Sequence, residues 1–216
     1  FQFQYGATAA AWSTSNNLNT ARSNLAGCGI QTAALAFGGS PTTAETESYN
    51  GTNWTEVNDL GTARYLLAGA GTQTAALAIG GIPPAPAAGL TELWNGTNWT
   101  EVNDLNTARY TLSSVGIATL ALAFGGHTGP KTQTETWNGT NWTEVNDLNS
   151  ARTLIAGAGT QTAALAIGGG GGAENLVESW NGTNWTEVND LNTGRVELSG
   201  AGTTTSALAF GGSTSP

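Results

Sequence analysis

Apolar residues fall along this chain in bursts of four to seven, broken by small polar turns, and the bursts recur in the same order. After Arg64 comes Tyr-Leu-Leu-Ala-Gly-Ala-Gly, then Thr-Gln-Thr, then Ala-Ala-Leu-Ala-Ile-Gly-Gly. A loop of changing sequence leads to Thr-Glu-Leu-Trp (91–94), Asn95-Gly96, and Asn98-Trp99-Thr100-Glu101-Val102. Segments this short, with a turn signal about every ten residues and no 3.6-residue apolar stripe, predict an all-β chain. We read them as strands a, b, c and d of one unit, and Asn-Gly predicts a type I′ hairpin between c and d.

The unit repeats nearly letter for letter. Asn-Gly-Thr-Asn-Trp-Thr-Glu-Val-Asn-Asp-Leu stands at Asn50–Leu60, Asn95–Leu105, Asn138–Leu148 and Asn181–Leu191, with a degraded copy around Trp12. Repetition at a fixed period decides architecture before any other signal. Trp12, Trp54, Trp99, Trp142 and Trp185 lie 42, 45, 43 and 43 residues apart, and the stretches outside the first and last together make one more period of 43. A linear array does not require its two ragged ends to complete a unit; a ring does. The expected fold is therefore a five-bladed β-propeller of four-stranded blades. Its units run about 17–59, 60–104, 105–147, 148–190, and 191–216 with 1–16, as one domain over 1–216. In the last blade Phe1–Tyr5 and Ala9–Thr14 are expected as strands c and d, and Arg195–Gly202 and Thr203–Gly212 as a and b, which removes free edges. A narrow five-fold axis also explains the small residues of a and b: glycine-rich here means tight.

Composition narrows the function. Charged residues make up 10% of the 216, and the net charge is −9, with six basic residues. Five of those six sit at one repeat position, so no basic stripe for nucleic acid exists, and an anionic membrane is disfavoured on the same ground. No apolar stretch nears a membrane span, no signal peptide opens the chain, and a start at Phe1 suggests a mature or excised segment. One cysteine (Cys28) and one histidine (His127) exclude a disulfide framework and a His/Cys metal cluster. Cys28 takes the slot of Ala70 and is expected to be a small buried inner-strand residue.

The repeat resembles the kelch family. The residues that carry the resemblance are an arginine opening strand a and Gly-Gly at 38–39, 80–81, 125–126, 168–169 and 211–212. They continue with Glu-x-aromatic at Glu47/Tyr49, Glu92/Trp94, Glu135/Trp137 and Glu178/Trp180, then Trp54, Trp99, Trp142 or Trp185. It departs in the end blade, where Phe3 replaces the glutamate and Trp12 lacks its acidic followers. The wording Asn-Gly-Thr-Asn-Trp-Thr-Glu-Val-Asn-Asp-Leu also resembles repeat proteins encoded by marine bacteriophages. The resemblance implies a propeller, and a setting in a virion or outside the cell.

Kelch propellers include galactose-oxidase-like enzymes, whose copper site of His, Tyr and a Cys–Tyr crosslink cannot be assembled from one His and one Cys. Glu47, Glu92, Glu135 and Glu178 recur opposite Arg64, Arg109, Arg152 and Arg195. That repetition reads as ion pairing, whereas acid–base catalysis needs two carboxylates or bases in different environments. No catalytic residue, metal or cofactor is expected. The acids of the tryptophan phrase read as solvated outer strand, with repeated Ca²⁺ sites and glycosylation at Asn-x-Thr as lesser readings.

Comparison among the repeats exposes two variable sets. One follows the arginine: Ser23-Asn24, Tyr65-Leu66, Tyr110-Thr111, Thr153-Leu154 and Val196-Glu197. The other is the b–c loop, which includes His127 and Lys131. Strand a starts and strand b ends on the same side, so both sets should ring one face around the axis. Loop drift is the bland reading; the sharper one is a binding face, since recognition residues concentrate on loops held by a scaffold. Asn24, Tyr65, Leu66, Tyr110, Thr111, His127, Lys131 and Glu197 are its candidates. The partner expected is protein or surface glycan, including other virion proteins. A lectin with one sugar site per blade and an engineered propeller without function are the alternatives.

Overall fold

The structure, a computed structural model, describes residues 14–84, 89–129, 131–170 and 174–214. These residues form strands and no helix. Blade 1 holds β1 (Ala26–Ile30), β2 (Ala33–Phe37), β3 (Thr46–Tyr49) and β4 (Trp54–Val57), and blade 2 holds β5 (Ala68–Thr72), β6 (Ala75–Ile79), β7 (Thr91–Trp94) and β8 (Trp99–Val102). Blade 3 comprises β9 (Ser113–Ile117), β10 (Leu120–Phe124), β11 (Thr134–Trp137) and β12 (Trp142–Val145). Blade 4 comprises β13 (Ala156–Thr160), β14 (Ala163–Ile167), β15 (Val177–Trp180) and β16 (Trp185–Glu187). The fifth sheet has β17 (Val196–Thr203) and β18 (Ser206–Ser213). Within each sheet neighbours in sequence are neighbours in space and run antiparallel. The molecule is a five-bladed β-propeller.

The core lies between blades. Leu35 and Phe37 of blade 1 pack with Leu67, Ala76 and Trp94 of blade 2, and the same cluster recurs at the later boundaries. Tryptophan ties the boundaries between blades 1 and 2, 2 and 3, and 3 and 4: Trp99 packs on Phe37 at 4.9 Å between ring centroids, and its Nε1–H donates to Thr46 Oγ1 at 3.0 Å. Trp142 donates likewise to Thr91, and Trp185 to Thr134, both at 3.0 Å. Each outer strand then clasps the next blade. Asn58 Nδ2 donates to Asn98 Oδ1 at 2.7 Å, Asn103 to Asn141 at 2.6 Å, and Asn146 to Asn184 at 2.8 Å.

The c–d hairpin differs from the expected type I′ turn. Asn95 N–H donates to the Asn98 carbonyl, so Gly96-Thr97 is the central pair. Of the four residues only Gly96 has positive φ, at 94°, the placement of a type II′ turn. Asn95 instead accepts the Thr97 and Asn98 N–H groups through Oδ1, at 2.9 Å each. The asparagine caps the turn with its side chain, and the left-handed backbone is confined to Gly96.

The Gly-Gly pair ending strand b is a close approach. A Cβ on Gly80 would stand 2.4 Å from the Arg109 carbonyl of the next blade, and Gly81 N–H donates to that same carbonyl at 3.1 Å. Only glycine leaves the room.

Phe1–Tyr5 and most of Ala9–Thr14, expected as the outer strands of the fifth blade, lie outside the described residues, as does Trp12. The segment just after them behaves like every other link between blades. Asn16 Nδ2 reaches Asn53 Oδ1 at 2.6 Å, in the role of Asn58 toward Asn98. Asn19 N–H donates to Glu47 Oε2 at 2.7 Å, in the role of Gly61 toward Glu92. Among the described residues β18 pairs with β17 alone, and Leu208 is 66% exposed, against 1% for the equivalent Leu35.

Candidate functional site

Strand a starts later than the apolar burst suggests, because the chain first makes a left-handed step. Tyr65 exchanges backbone hydrogen bonds with Ile82 of the b–c loop at 3.2 and 2.8 Å, and Leu66 then turns to φ 57°. The step recurs at Asn24, Thr111, Leu154 and Glu197, with φ between 51° and 57°, and these are the non-glycine residues of positive φ among those described. Of the five, asparagine alone visits this region readily; for leucine it costs on the order of 1 kcal/mol. The step is held by the neighbouring blade. Leu66 N–H donates to the Asn24 carbonyl at 2.9 Å, Thr111 to Leu66 at 2.9 Å, Leu154 to Thr111 at 3.1 Å, and Glu197 to Leu154 at 3.2 Å. A main-chain girdle thus passes from blade 1 to blade 5. No bond from Asn24 back to Glu197 is formed among the described residues, so the girdle is open between blades 5 and 1.

The girdle frames the axial mouth. Asn24, Leu66, Thr111, Leu154 and Glu197 form the rim of a cavity of about 370 Å³. The residue after each, Leu25, Leu67, Leu112, Ile155 and Leu198, forms an aliphatic collar one layer down. Below the collar the channel continues between the inner strands, past Gly69, Ser114 and Gly157, to Cys28, Ala70 and Val115. Burial pushes the Cys28 thiol up to about 12, and its Sγ sits 3.5 Å from the Thr72 carbonyl.

Four of the eight candidates, Asn24, Leu66, Thr111 and Glu197, are thus brought together on the rim, with Leu154 added. The other four lie on the same side but do not line the mouth. Tyr110 and His127 pair with each other, Oη to Nδ1 at 2.8 Å, with ring centroids 5.2 Å apart. Tyr65 is held against the b–c loop by Ile82, and the Lys131 carbonyl accepts from Arg152 N–H at 3.1 Å. The collar was readable in sequence, since the third residue after every repeat arginine is Leu or Ile.

Beneath the face lie the arginines. Arg64 Nη2 is 3.2 Å from Glu92 Oε1, Arg109 is 3.1 Å from Glu135, and Arg152 is 2.7 Å from Glu178; the three arginine side chains are fully buried. Arg22 makes the equivalent contact with Glu47 at 3.1 Å. Burial pulls the Arg64, Arg109 and Arg152 guanidinium groups below their ordinary range, and the paired carboxylates pull them back. Each glutamate also accepts backbone N–H groups from the link entering the blade, as Glu92 does from Gly61 at 2.7 Å. These pairs fasten strand c to the start of strand a. Arg195 bonds the Gly211 carbonyl at 3.1 Å. Among the described residues no group of three His, Cys, Asp or Glu is placed to hold a metal ion.

No family model and no curated protein matches this chain. Among solved structures it is similar to that of YjhT, with a TM-score of 0.70 at 11% identity over 88% of this chain and 72% of the other. At that identity the likeness concerns the fold, which is the β-propeller described above.

Proposed function

We propose that the chain is a non-enzymatic recognition module that binds its partner through the axial mouth and the loops around it. The observation that carries this reading is the girdle. Its backbone is the same in all five blades, while its side chains are Asn, Leu, Thr, Leu and Glu. A feature serving packing alone has no need to vary in chemistry at a fixed geometry. Strained backbone that recurs at one place is also a recognised mark of functional sites. The mouth is one asymmetric site on the axis, which favours a single partner over five equivalent sugar sites. The repeat wording supports a virion or extracellular setting, with protein or surface glycan as the partner.

Photo-crosslinking tests this. A crosslinkable residue placed at Tyr65 or Tyr110 should capture partners from virion or cell-surface extracts, and one at Thr97 in the opposite c–d turn should not. Equal capture from both faces would sink the reading. Saccharide titration separates the lectin alternative: five equivalent sites would replace the single-site reading.

A further inference from the structure

We infer that the axial mouth takes a lysine side chain of a partner polypeptide; this rests on the recognition reading above and names its ligand chemistry. The cavity of about 370 Å³ lies near the lower end of small-ligand pockets, room for a side chain more than for an oligosaccharide. Among the described residues no aromatic ring lines it, so a sugar would lack the flat apolar platform that stacking needs. Its floor is aliphatic: Leu67, Leu112, Ile155 and Leu198 are buried around the axis, and Leu66 and Leu154 stand on the rim above them.

The polar groups occupy the rim alone. Glu197 is the one charged residue lining the mouth among the described residues, and it is exposed there. Asn24, also exposed, is on blade 1, and Thr111 stands on the third blade. Thr111 Oγ1 already contacts the Tyr110 carbonyl at 2.7 Å and the Thr153 hydroxyl at 2.5 Å, so it is oriented. A lysine combines a four-methylene stem with a compact ammonium of three donors. Laid across the mouth, its stem covers the leucine floor while the ammonium meets the Glu197 carboxylate and the Asn24 amide oxygen. The field of the whole molecule acts in the same direction. The net charge is −9, and Arg22, Arg64, Arg109 and Arg152 are each paired with a glutamate. An anionic surface draws a cationic segment toward the mouth.

Calorimetric titration of the full chain with three probes tests the assignment. The probes are an acetylated, amidated alanine heptapeptide with central lysine, its norleucine counterpart, and n-butylamine. The lysine peptide is expected to bind at least tenfold tighter than the norleucine peptide. That difference should vanish in E197Q, whose melting temperature should match the parent, and should shrink with added salt. Butylamine binding as tightly as the peptide would assign the site to free amines and overturn the polypeptide source. Lysine and norleucine peptides binding alike, or E197Q leaving the preference intact, would overturn the cation assignment while leaving recognition at this face standing. Failure of both peptides to bind would overturn it too; crosslinking from Tyr65 or Tyr110 then judges the broader reading separately.

Discussion

Trp142 Nε1–H donates to Thr91 Oγ1 at 3.0 Å, from the outer strand of blade 3 to the third strand of blade 2. Thr91 is fully buried, so its hydroxyl has no recourse to water. Trp142→Phe keeps an aromatic ring at the boundary but leaves that oxygen unpaired, and should cost about 1–3 kcal/mol in urea unfolding. Thr91→Val removes the other partner. The double variant should be less unstable than the sum of the two; strict additivity would show that the bond contributes nothing.

The buried arginines predict a second asymmetry. Arg109→Met leaves Glu135, 1% exposed, without its cation and should destabilise by about 3–5 kcal/mol. Adding Glu135→Gln removes the stranded charge, and a good part of the loss should return in thermal unfolding. No recovery in the double variant would mean that the arginine acts through its carbonyl contacts alone.

At the girdle, backbone preference and side-chain chemistry can be separated. Leu154 sits at φ 54°. Leu154→Ile keeps the apolar surface but places a β-branched residue where it is least tolerated, whereas asparagine adopts that backbone readily. Leu154→Asn should therefore be the more stable of the two by about 1–2 kcal/mol. The opposite order would show that apolar packing on the rim outweighs backbone strain.

Cys28 gives the fold a pH dependence. Burial raises its thiol from 9.0 to about 12 in the folded chain, so the folded state resists forming the thiolate. The stabilisation is complete below the unfolded value of 9.0 and is lost as pH climbs from there toward about 12. The stability difference between parent and Cys28→Ala should be flat below that window and change through it, with the parent losing ground. The native thiol should also alkylate slowly near neutral pH. Rapid native alkylation would contradict the burial.

The fifth blade is the one expected to be built from both ends of the chain. If Phe1–Trp12 supply the strands that close this blade, their removal leaves β18 with an unpaired edge and should lower the melting temperature markedly or cause aggregation. An unchanged melting curve would refute a blade built from both ends of the chain.

Blade number and strand order were legible because one tryptophan phrase recurs with a near-constant spacing. The third strand of blade 2 was read to the residue, at Thr91–Trp94. Two local features were not. Asn95-Gly96 looked like a type I′ pair because its neighbours Thr97 and Asn98 gave no hint that the asparagine side chain would cap the turn. The left-handed step at Leu66, Thr111, Leu154 and Glu197 contradicts the intrinsic preference of each residue. What imposes it is a carbonyl one blade, some forty positions, away in sequence. The rim itself was found by a different signal, the positions where otherwise identical repeats disagree.

The girdle's hydrogen bonds use main-chain atoms alone. Residues that tolerate a left-handed backbone can therefore be exchanged at these positions without cutting a link between blades. The chemistry of the rim and the continuity of the frame are thus set by different atoms of the same five residues.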